Sequence, residues 1–136
     1  MLDFPVYQYL LAQKNQSVSD TNVLKNHKMF ATVIFDCISM NEKYKSDISE
    51  QKESYIVNTI LELIRSQYNI YLRNGFKNNS FDWFISFNEM LKKEHYTYYL
   101  ATSKKYSYIR ALQHENKVAF WLLSKLMKAF KKIKTR

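Results

Sequence analysis

The stretch Lys117-Val-Ala-Phe-Trp-Leu-Leu-Ser-Lys-Leu-Met-Lys-Ala-Phe-Lys-Lys-Ile-Lys-Thr-Arg136 decides how this chain is read. Wound at 100° per residue, it places Val118, Ala119, Leu122, Leu123, Leu126, Met127, Ala129, Phe130 and Ile133 on one broad apolar arc, with Phe120 at its edge. Lys117, Ser124, Lys125, Lys128, Lys131 and Lys132 fall on the other side, and Trp121 lands among those lysines. A helix with such an arc closes a core with it. The stretch is therefore expected to pack inward through the apolar arc and to present a basic face with one aromatic in it.

Working outward, the composition points to helices. One Gly and one Pro in 136 residues leave little for the tight turns that β proteins need. A hydrophobic share of 46% excludes a disordered composition, and the length suits one domain with a core of its own. The expected fold is all-α: a compact single-domain bundle (residues 1–136) of five or six helices.

Periodicity fills in the elements. Pro5 is placed to open a short helix over 5–14, and Ser17-Val-Ser-Asp20 reads as a cap-rich linker. Apolar residues at helical spacing predict a long helix from about 21 to 44, with His27 and Cys37 as core side chains. The next runs from about 48 to 74, with Arg65 and Asn69 on its polar side. It ends at Asn74-Gly75, where the single Gly supplies the left-handed residue of a C-cap. Residues 81–93 are apolar nearly all round and are expected to lie buried at the centre. Residues 94–103 predict a helix followed by a turn, with a small hairpin across Tyr96-Thr-Tyr98 and Tyr106-Ser-Tyr108 as the minor alternative. The last helix is expected over 105–133.

The charge is uneven. Residues 1–91 carry nine Lys/Arg against ten Asp/Glu; residues 92–136 carry twelve against two. All of the net +9 thus comes from the last third, and such asymmetry points to an anionic partner. Backbone binding to nucleic acid combines a cationic track with aromatic faces for stacking. The residues of this type are Lys104, Lys105, Arg110, Lys117, Trp121, Lys125, Lys128 and Lys132, with Tyr98, Tyr106 and Tyr108 as further stacking candidates. Lys dominates over Arg, which suits sequence-independent contact. The expected function is non-enzymatic nucleic-acid-backbone binding, as in a small subunit or accessory of a ribonucleoprotein of phage, viral or CRISPR type.

Other readings compete. A basic amphipathic helix with Trp at its polar boundary also fits a partner protein or a membrane surface; the need for the apolar arc to close the bundle weighs against this. A helical protein–protein interaction module is the main alternative, and a homo-oligomer is compatible with it. Asn79-Ser-Phe-Asp-Trp-Phe84 resembles the Trp-bearing central helix of Bcl-2-like proteins, although Phe84-Ile85 stand where that family has Gly-Arg. The order of a long helix pair and a basic last helix is similar to helical cytokines, which are usually disulfide-bonded. Arg110 and His114 resemble the Arg/His pair of HEPN-type ribonucleases, with three intervening residues instead of four to six.

Catalysis is otherwise without a motif. The three histidines form no HExxH pattern, one Gly allows no phosphate-binding loop, and neither a metal nor a cofactor is expected. Cys37 is the only cysteine, which favours a reducing, cytoplasmic setting. Met1-Leu-Asp-Phe-Pro5 lacks the pattern of a signal peptide, and no apolar run is long enough to span a membrane.

Overall fold

The structure is a computed structural model that describes residues 24–134, with side chains described over 24–129. The predicted helix over 5–14, the linker after it, Val23, and the side chains of Phe130, Lys132 and Ile133 lie outside the described residues. Among the described residues the fold is all-α, as composition predicts. Six α-helices follow in order: α1 His27–Tyr44, α2 Glu50–Asn74, α3 Ser80–Glu94, α4 Tyr96–Lys105, α5 Ser107–Gln113 and α6 Lys117–Lys134. Short 3₁₀ turns, Lys45–Asp47 and Lys77–Asn79, join α1 to α2 and α2 to α3. No described residue is in a strand, so the hairpin alternative is set aside. The chain divides into two compact units, residues 1–64 and 65–136, with the division inside α2.

In the first unit, α1 buries His27, Phe30, Ile34, Ile38 and Asn41 at helical spacing, and the first part of α2 buries Ile60, Leu61 and Ile64. His27 is a core side chain, as expected; burial, followed by the nearby Lys28 charge, holds its imidazole below the usual value. Cys37 is half-buried rather than fully enclosed.

The second unit holds an aromatic core. Phe120 of α6 is fully buried. Its ring lies 5.1 Å from Phe84 in a stacked arrangement, and 4.9 Å and 5.3 Å from Phe81 and Phe76 edge-on. Tyr68 of α2 meets Phe84 and Phe87 edge-on at 5.9 and 5.4 Å. Such offset and edge-to-face pairs match the quadrupoles of the rings. Beneath them runs a polar network. The Tyr68 hydroxyl donates to Asn88 Oδ1 at 2.7 Å, and Asn88 Nδ2 donates to the Gln113 carbonyl and Glu115 Oε1 at 3.3 and 3.4 Å. Gln113 Nε2 donates to the Tyr99 carbonyl at 3.0 Å. These bonds tie α2, α3, α4 and α5 through groups that would be costly to bury unpaired.

The end of α2 follows the sequence reading. Gly75 has φ +61°, and its N–H donates to the Tyr71 and Leu72 carbonyls at 3.0 and 3.2 Å. Phe76, just past this end, packs on Phe81 and Phe120. The helix α3 is not buried all round. Phe84, Phe87, Asn88 and Leu91 face inward, Trp83 and Ile85 are half-covered, and Met90 is exposed. Asn88 accounts for the difference: once it bonds Tyr68, the inward face is fixed and the other apolar side chains turn to the flanks.

The single last helix predicted over 105–133 is broken. Glu115 takes a left-handed conformation, φ +59°, and its N–H donates to the Leu112 carbonyl at 2.9 Å. Asn116 then caps α6: its Oδ1 accepts from the Val118 N–H at 2.8 Å and from the Ala119 N–H at 3.4 Å, an N-cap geometry that Asn favours.

Candidate functional site

The way α6 is seated defines the site. Two residues face inward from its described side chains: Phe120 in the aromatic core and Ser124, whose hydroxyl donates to the Leu72 carbonyl at 2.7 Å. Gly75 permits this close approach, since a Cβ there would stand 3.0 Å from Ser124 Oγ. Ala119, Leu123 and Met127 form a half-covered shoulder beside that line. The expectation that the whole apolar arc closes the core is therefore overturned. Phe120, expected at the edge, is the anchor, and Ser124, assigned to the basic side, is buried. The helix is turned so that Val118, Leu122 and Leu126 are 64%, 50% and 54% exposed.

Those three side chains lie at i, i+4 and i+8, so they form one line along the helix. Ala129 continues it and is exposed. Trp121 lies beside the line, 48% exposed, with Lys125 Nζ 5.9 Å from its ring centroid. Lys117 and Lys125 are exposed, and Lys117 Nζ sits 5.9 Å from the Phe81 ring. Lys128 is half-covered, and its Nζ is 3.8 Å from where a Cβ on Gly75 would stand. That places its charge at the C-terminal end of α2, where the helix dipole favours a cation. Lys132 lies within α6, and its side chain is outside the described ones.

The other candidates sit elsewhere in the second unit. Lys104 and Lys105 are exposed at the end of α4, and Arg110 is exposed on α5, as is His114 just beyond it. The tyrosines are divided. Tyr98 is buried and no stacking surface, because it faces the core one turn from buried Thr102, which bonds its carbonyl. Tyr99 is buried as well, while Tyr96 is exposed and stacks on it at 5.8 Å. Tyr106 is half-buried, with Arg65 and Lys105 over its ring at 5.0 and 5.5 Å. Tyr108 is half-buried and donates to Asn69 Oδ1 at 2.8 Å; burial raises its pKa against the lowering effect of Arg65 and Arg73.

Sequence reasoning missed Val118, Leu122 and Leu126 as surface residues. The available signal was the Ser at position 124: a residue able to bond a carbonyl at a helix end and small enough to sit on Gly75. Arg65 was also missed as a partner of Tyr106, since α2 reads as a helix with an ordinary polar side.

No family model, no curated protein and no solved structure matches this chain. Among the described residues no group of three His, Cys, Asp or Glu side chains is placed to hold a metal ion, and no helix is long and apolar enough to cross a membrane.

Proposed function

We propose that the protein is an interaction module that docks a protein partner on the outward face of α6. The observation behind this reading is the line Val118, Leu122 and Leu126, each at least half exposed. Single exposed apolar residues are ordinary, but a contiguous row marks a surface that another molecule covers. The main argument against a partner helix was that this arc had to close the core. Phe120 and Ser124 do that instead. The three side chains of the row offer apolar area with cations beside it.

Nucleic-acid binding remains the second reading, favoured by Trp121, which is exposed next to Lys125 as a stacking site requires. One experiment separates the two. A benzophenone side chain at position 122, irradiated in cells that make the protein, gives a nuclease-resistant adduct of protein mass under the docking reading, lost with Leu126→Asp. An adduct digested by nuclease transfers the role to nucleic acid.

A further inference from the structure

Resting on that reading, we infer that the partner presents an acidic amphipathic helix, laid along α6 with its apolar row on Val118, Leu122 and Leu126. The row from position 118 to 129 spans about 17 Å, or roughly three turns, the length that one short helix covers. Helix-in-groove docking uses anchors at this same spacing. The charge on α6 selects the kind of helix. Residues 117–136 hold six Lys and one Arg and no carboxylate, so a carboxylate-bearing edge on the partner is attracted and a second copy of this helix is repelled.

The placement of the cations separates a partner helix from a lipid surface. At 100° per residue, Lys117, Lys125 and Lys128 all lie on the Trp121 side of the apolar row. On the other side come Ala119 and Leu123, half-covered and uncharged, with Lys134 following only at the last position of the helix. A helix lying in a membrane surface carries its cations over a polar face opposite the apolar one. Here the side opposite the row is buried through Phe120 and Ser124, and the cations stand beside the row on its Trp121 side, the arrangement that receives a helix with carboxylates along one edge. Nucleic acid would use the cations and Trp121 but leave Val118, Leu122 and Leu126 uncovered.

The test uses the full chain and a synthetic, fluorescently labelled amphipathic peptide of about five turns, with leucines on one face and glutamates along its edge. The control is a scrambled peptide of the same composition. Anisotropy is expected to show binding of the amphipathic peptide, at least about tenfold weaker for the scrambled one, with Leu122→Asp and Leu126→Asp each weakening it about tenfold or more. Lys125→Glu weakens it and reduces its salt dependence. Equal binding of the scrambled peptide, or binding indifferent to Leu122→Asp, overturns the inference. So does Leu122-dependent binding to phosphatidylserine vesicles or to a single-stranded oligonucleotide in place of the peptide. A dimer in sedimentation that Leu122→Asp dissolves assigns the face to a second copy and also overturns it. A fall of many degrees in the Tm of Leu122→Asp would mean that the row is covered within the free chain, again against it. If the benzophenone at 122 captures protein while the acidic peptide fails, the partner chemistry is wrong and the docking reading stands; if both fail, both are lost.

Discussion

Ser124 Oγ lies 3.0 Å from where a Cβ on Gly75 would stand, and its proton goes to the Leu72 carbonyl one turn earlier. The end of α2 and the middle of α6 are thus fitted by the absence of one methyl group. Gly75→Ala meets two obstacles: φ +61°, which costs an L-residue about 1–2 kcal/mol, and displacement of Ser124 from its bond. A loss of about 2 kcal/mol or more is expected in urea unfolding. Ser124→Ala, which removes only the bond, should cost about 1 kcal/mol.

Asn88 holds the polar centre of the second unit. In Asn88→Leu the Tyr68 hydroxyl is left buried without its acceptor, which predicts a loss of about 2–3 kcal/mol. Adding Tyr68→Phe removes the stranded hydroxyl, so the double variant should be more stable than additivity of the two single changes predicts. Chemical denaturation of all four proteins checks the sign of that coupling.

Glu115 makes stability depend on pH. Its carboxyl is raised above the ordinary 4.5, first by burial, then by the hydrogen bond and repulsion with Glu89. A carboxyl raised on folding favours the protonated, folded form. The contribution is present below the ordinary value and is lost as pH rises through the raised one. Glu115→Gln should therefore flatten the fall in Tm on going up from about pH 4.5, and raise Tm at neutral pH. An unchanged slope would remove Glu115 as its source.

The link between α5 and α6 carries two opposed effects. Asn116→Ala removes the acceptor for the Val118 and Ala119 N–H groups and should cost about 1 kcal/mol. Glu115→Gly relieves a left-handed φ of +59° and should stabilise by up to about 1 kcal/mol, reduced by the greater freedom of Gly in the unfolded chain. Thermal unfolding of the two variants reads both signs.

Much of the fold could be read from residue type and spacing. The scarcity of Gly and Pro indicated helices, and the lone Gly marked the end of α2, where a left-handed residue also stands against the Ser124 side chain. Helical periodicity found α2, α3 and the end of α1 within a few residues. It failed where a polar side chain outranked apolar ones. Asn88 turned α3 to one face through Tyr68, and Ser124 turned α6 through Leu72. An apolar count cannot see either, since the deciding partner lies twenty or more positions away. The exposed state of Trp121 agrees with its place among lysines, whereas Tyr98 and Tyr99 are core residues that look the same in sequence as exposed Tyr96.

The seating of α6 underlies the functional reading, and a paired stability measurement tests it most directly. Unfolding free energies of Phe120→Ala, Leu122→Asp and Leu126→Asp, compared in urea, should separate widely. Phe120→Ala is expected to lose about 3–5 kcal/mol as a core cavity, while the two Asp variants stay within about 0.5 kcal/mol of the parent, as surface changes do. A loss for Leu122→Asp as large as that for Phe120→Ala would mean that the apolar arc closes the core after all, and that α6 has no free face to offer.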